Sequence, residues 1–158
     1  MEDRPQYPIP TVGALAEKEG LVLLVRTAKW RGLWGAWGGK EGRGFWGGRA
    51  GGGGFWGGPG GEGARGEALE EALRREFREE VGLALSQVRF ALVQEAIFSP
   101  EFYKPTHMLL FNYFARAEGE VRPNEEILEW AWVEPEKGLA YPLNAFTRAL
   151  LVRYLEGR

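Results

Sequence analysis

Cysteine is absent from the 158-residue chain, the only histidine is His107, and the only aspartate is Asp3. The missing thiols exclude disulfides, thiolate nucleophiles and cysteine-based zinc sites, but they do not fix a compartment. No apolar run approaches the roughly 18 residues that a membrane-spanning helix requires. The opening "MEDRPQYPIP" carries early acids and prolines without an apolar centre, so no secretory leader is expected there. Formal net charge is only -2, too little of either sign to gather polymeric nucleic acid or anionic membrane. A soluble, cytoplasmic protein is the expectation.

Asparagine and glutamine are also scarce, arginine exceeds lysine, and glutamate stands almost wherever an acid is needed. That bias fits a thermophile, and a GC-rich genome produces some of it as well. Against these shortages stand an apolar content of 44% and seven tryptophans, enough for a globular protein with a real core. The length suits a single domain over residues 1–158.

Residues 11 to 27 read as two strands around a turn at Glu17–Gly20, the second strand (21–26) being apolar enough for burial on both faces. A helix is expected over 68–81, ended by Gly82. "VRFALVQEAIF" (88–98) and "THMLLFNYFARA" (106–117) have strand character, and the two prolines of "SPEFYKP" force a loop between them. A short strand at 127–135 stops at Pro135, and an amphipathic helix spans 144–157 with Asn144 as its cap. Strands on both sides of one helix, closed by a second, predict an α/β sandwich on a mixed sheet.

From Gly32 to Gly66 more than half of the residues are glycine, and "RGLWG", "RGFWGG" and "GGFWGG" recur at 31–35, 43–48 and 53–58. Two good copies ten residues apart cannot make a solenoid, so a local expansion of one loop is the economical account. Glycine makes ordering such a loop costly in entropy, whereas the tryptophans have apolar area to bury. Mobility near residues 40–54 and aromatic self-packing are both consistent with this composition.

The helix at 68–81 carries the chemistry. Leu69, Ala72 and Leu73 open an inward stripe, but Glu76 and Glu80 continue it, with Glu79 one helical step aside. Successive residues turn by about 100°, so these three carboxylates share one sector of the helix. Alone they would repel, and hard divalent cations such as Mg²⁺ or Mn²⁺ want such oxygen donors. A solvated acidic face paired with Arg74, Arg75 and Arg78 is the alternative, but the inward placement of the acids argues against it.

Gly61, five residues, Glu67, seven residues, then Arg75-Glu76-Phe77-Arg78-Glu79-Glu80-Val81-Gly82-Leu83 resembles the box of the Nudix hydrolases at every defined position. The resemblance implies a Nudix-type α/β/α sandwich that hydrolyses pyrophosphate bonds of nucleotide-type small molecules by metal-activated water. Two or three Mg²⁺ or Mn²⁺ ions would be held by Glu76, Glu79, Glu80, the backbone oxygen of Gly60 and, in some members, Glu67. Arg75 corresponds to the arginine that orients the first carboxylate. Glu76 is the first choice as base, with Glu125 and Glu126 as alternatives on a later loop. Arg26, Phe98, Phe102, Tyr103 and His107 are candidate substrate contacts, although aromatic residues at strand ends also serve as packing. Substrates to weigh are a nucleoside diphosphate derivative such as ADP-ribose and, alternatively, a nucleoside triphosphate. A binding module without useful turnover is a third reading, and a homodimer stays open.

The family usually joins its strand to the box by a short "W-x-x-PGG" link. Here "GLWGAWGG" (32–39) and "FWGGPGG" (55–61) both resemble it, as if twenty residues were inserted. Deleting residues 38–57 joins Trp37 to Gly58 and restores a short link. Loop closure changes by only about 0.6 kcal/mol per halving of length, so stability should shift by at most a few kcal/mol. Hydrolysis by the trimmed protein should persist or improve. A folded, metal-binding variant that loses one substrate of the full chain would instead assign the repeat to that substrate's site.

Overall fold

Val12, Ala14 and Ala16 alternate with Thr11, Gly13 and Leu15 along β1 (Ile9–Lys18), and both sets are buried. A strand covered on two faces belongs at the centre of a layered structure. The computed structural model describes residues 8–38 and 68–157 and puts it there. The second and third copies of the glycine/tryptophan repeat, with Gly60, Gly61, Glu67 and the expected mobile stretch, lie outside the described residues.

Among the described residues the sheet has seven strands. They are β1, β2 (Leu21–Thr27), β3 (Trp34–Gly35), β4 (Trp37–Gly38), β5 (Ala84–Ile97), β6 (His107–Glu118) and β7 (Ile127–Val133). β1 runs parallel to β6 from Ile9↔Met108 to Glu17↔Arg116, and β6 pairs antiparallel with the outer β5. β2 pairs antiparallel with β7 and β3. The sheet is therefore mixed, as expected from the sequence.

β1 and β2 pair only at Glu17↔Val22 and Lys18↔Leu21, and beyond them the two strands part. Trp37 and Gly38 fill the wedge by pairing with Ala14 and Gly13 of β1. The two short strands β3 and β4, which no periodicity announces, exist because this opening leaves backbone groups of β1 and β2 in need of partners.

α1 (Leu69–Glu80) covers one face, packing Ala72, Leu73 and Phe77 against Val12, Ala14 and Ala16. Phe77 is fully buried, and a side chain of that size contributes about 1.5–3 kcal/mol by leaving water. Its C-terminus turns at Gly82 (φ 84°), whose N–H bonds to the Phe77 carbonyl at 2.9 Å. α3 (Ala145–Glu156) covers the other face with Leu150 and Leu151 against Leu15 and Phe114. Asn144 caps it as expected, its side chain accepting from the Thr147 N–H at 2.8 Å.

Two of the boundaries that differ from the sequence reading have a clear physical cause. The strand expected at 88–98 begins earlier, at Ala84, because β6 is long enough to pair with that extension. Pro135 does more than stop β7, which ends at Val133; it opens the short helix α2 (Pro135–Gly138), where its missing N–H is not needed.

The wedge depends on a close backbone approach. A Cβ added at Gly13 would stand 2.9 Å from both the Gly38 Cα and the Trp37 carbonyl oxygen. Neither atom can move without shifting β4. Gly13→Ala should therefore lower unfolding free energy by about 1–3 kcal/mol, measured by urea denaturation. An unchanged midpoint would mean that β4 is not held against β1.

Candidate active site

Amphipathic patterning pins α1 by Leu73 and Phe77, and this carries the next turns of its stripe inward with them. Glu76 is 1% exposed and Glu80 9%, whereas the side chain of Glu79 is 59% exposed. The core-facing stripe does become acidic, with Glu79 at its rim. Arg75 stands between the two acids of its own turn, its Nη1 lying 3.7 Å from Glu76 Oε2 and 3.6 Å from Glu79 Oε1. Arg74 takes no part in these pairs and donates instead to the Leu85 carbonyl at 2.6 Å.

A buried carboxylate is costly unless it is paired or coordinates a cation. Two buried carboxylates one turn apart form an all-oxygen donor set that suits a hard divalent ion. Among the described residues no three acidic or histidine side chains converge closely enough to hold one by themselves. The further donors implied by the box, Gly60 and Glu67, lie outside those residues.

The loop after β6 is tied to the same end of α1. Arg122 donates its backbone N–H to the Val81 carbonyl (2.7 Å), and Asn124 does so to the carbonyl of Glu80 itself (3.0 Å). Asn124 Oδ1 then accepts from the Glu126 N–H at 3.0 Å. Glu126 reaches a cavity of about 100 Å³ that occupies the wedge between β1 and β2. Trp30, Phe102 and Phe146 form its aromatic wall, with Trp30 and Phe102 edge-to-face at 4.7 Å. Thr11, Thr27 and Asn112 add polar groups, and Lys29 stands 3.8 Å from Glu126. Glu125 is exposed and does not line this cavity.

Other sequence candidates fall elsewhere. Arg26 pairs with its cross-strand neighbour Glu129 at 2.7 Å and is not among the residues lining the cavity. Phe98 and Tyr103 are exposed and outside the cavity lining, while Phe102, between them, is buried and lines it. His107 lies 2.6 Å from Glu95 and likewise outside the lining. Tyr113, buried on β6, has its phenol pushed up by burial and then by the charge of Glu70. Sequence reasoning missed Thr11, Trp30, Asn112 and Phe146. Only Asn112 carried a signal, as a lone amide in the apolar run "MLLFNYF".

Residues 8–154 match the family model of the NUDIX domain. This chain belongs to the Nudix family. It is 37% identical over 97 residues to nucleoside triphosphatase NudI of Escherichia coli, a match covering 54% of this chain and 66% of that protein. The chain thus spans just under two thirds of the length of these relatives. Among solved structures it resembles a MutT NUDIX hydrolase from Burkholderia pseudomallei, with a TM-score of 0.68 and 25% identity, covering 94% of this chain and 98% of that one. The NUDIX domain of Shewanella oneidensis NrtR, in a complex with ADP ribose, gives a TM-score of 0.69 at 16% identity. That match covers 97% of this chain and 90% of the other, and supports the fold alone. Divalent-metal dependence is typical of Nudix proteins, and the inward acids of α1 are the described residues that fit it.

Mn²⁺ titration, followed by electron paramagnetic resonance, tests those acids without any substrate. Glu76→Gln and Glu80→Gln should each weaken binding by about tenfold or more while thermal unfolding without metal stays cooperative. Wild-type affinity in both variants would take α1 out of the metal site.

Proposed function

We propose that this chain is a metal-dependent nucleoside triphosphate pyrophosphohydrolase. One observation carries the reading: the loop that brings Glu126 to an aromatic-walled cavity is hydrogen-bonded to the Glu80 carbonyl at the acidic end of α1. A base-sized apolar slot and a phosphate-handling cluster thereby share one end of the fold.

Glu76 and Glu80, with Glu79, the Gly60 carbonyl and Glu67 from the box, would hold Mg²⁺ or Mn²⁺. An ion held there would polarise phosphate oxygens and acidify water. Arg75 orients Glu76 and Glu79 through its paired contacts. In the reaction the oxygen of water adds to one phosphorus of the α–β anhydride, the bridging P–O bond breaks, and nucleoside monophosphate and pyrophosphate separate. The proton lost by water needs a carboxylate. Glu126 is the candidate that lines the cavity, whereas Glu76 is buried beside Arg75 and better suited to holding a cation. Glu125, exposed and off the lining, drops behind it.

Of the two substrate classes, the triphosphate is favoured over the ADP-ribose type. The 37%-identical relatives carry the name nucleoside triphosphatase, whereas the ADP-ribose complex belongs to a protein at 16% identity.

A panel of nucleoside triphosphates and ADP-ribose, with Mg²⁺ or Mn²⁺ and product identification, tests this. Triphosphates should yield monophosphate and pyrophosphate. Glu76→Gln should cut turnover by about a hundredfold or more, and Glu126→Gln by a similar factor if it is the base. Glu125→Gln should stay near wild type. Faster cleavage of ADP-ribose than of every triphosphate would reverse the assignment, and no turnover at all would leave a binding module.

A further inference from the structure

The amide side chains behind the cavity are locked in one orientation. Gln94 of β5 donates from Nε2 to the backbone carbonyl of Phe146 at 2.8 Å and to Asn112 Oδ1 at 3.0 Å. A backbone carbonyl can only accept, so the Gln94 atom facing it must be nitrogen. That nitrogen carries two hydrogens, and the second is directed at Asn112, whose nearer atom must then be oxygen. The NH₂ of Asn112 is therefore held on the side away from Gln94.

Asn112 shares a strand face with Met108 and Leu110, two residues apart in turn, and all three line the cavity. Among the described residues its NH₂ has no hydrogen-bond partner. The carboxamide thus gives this apolar slot a donor.

We propose that Asn112 is a specificity-determining residue that selects bases presenting an oxo group, and discriminates against those presenting an exocyclic amine, at the edge that enters the wedge. The inference rests on the nucleotide reading above. An oxo oxygen accepts from the Asn112 NH₂, whereas an amine would meet it donor to donor and leave both unsatisfied. Gln94 is a positioning residue, since it touches no base and acts by fixing which atom Asn112 shows. In size-matched pairs, uracil is favoured over cytosine and guanine over adenine.

Binding of the nucleoside monophosphates UMP, CMP, GMP and AMP, read by tryptophan fluorescence, tests this without turnover. The wild type should prefer the oxo member of whichever pair fits by about tenfold, the ratio expected for one unpaired buried donor. Asn112→Asp keeps one oxygen for Gln94 and turns the other toward the cavity as an acceptor, so the preference should invert. Gln94→Leu releases the carboxamide to turn either way, and the ratio should fall toward one while thermal unfolding confirms a folded protein. Equal affinities within both pairs in the wild type, no binding of any of the four, or an unchanged ratio in both variants would overturn the assignment. Discriminating binding without triphosphate hydrolysis would refute the proposed reaction and leave this inference standing.

Discussion

Separation of β1 from β2 after two register pairs is the constraint on which the rest of the molecule depends. Antiparallel neighbours joined by a tight turn would ordinarily stay paired along their length. Here β1 turns its edge to β4 while β2 turns to β7 and β3, and the wedge between them becomes the cavity. Closing that wedge by full pairing would bring β2 onto the stretch of β1 that Trp37 and Gly38 now occupy. Gly13 is required for the same reason, because any side chain there would push β4 away.

The second organising feature is a trade between packing and chemistry along α1. Leu73 and Phe77 fix the helix on the sheet, and the same rotation drives Glu76 and Glu80 out of water. Ordinary core design would put hydrocarbon at those positions, and burying charge instead costs stability. A bound cation would offset that cost, and Arg75 limits it at Glu76, 3.7 Å away. The loop from Gly119 to Glu126 then closes on the helix end, so the acidic cluster and the cavity are linked by one set of hydrogen bonds from backbone N–H groups, the last accepted by the Asn124 side chain. Such bonds position Glu126 without relying on its own side chain.

Much of this was legible in the residues. The glycine and glutamate spacing of the box, the 3.6-residue stripe that turns acidic, the apolar strands and the Asn144 cap are local patterns, and a local pattern survives without knowledge of the fold. Those features determined the family, the mixed sheet between helices and the three carboxylates of interest. Tertiary structure decided what no local pattern encodes: that Glu79 stays at the rim, that Arg26 is taken by Glu129 on a strand a hundred residues away, and that Phe102, and neither Phe98 nor Tyr103, faces the cavity. It also brought together Thr11, Trp30, Asn112 and Phe146 from four separate segments. The direction of the Asn112 amide is the clearest instance. It follows from a carbonyl of Phe146, relayed by Gln94, and hydrogen-bond polarity passes between such distant residues only once the chain is folded.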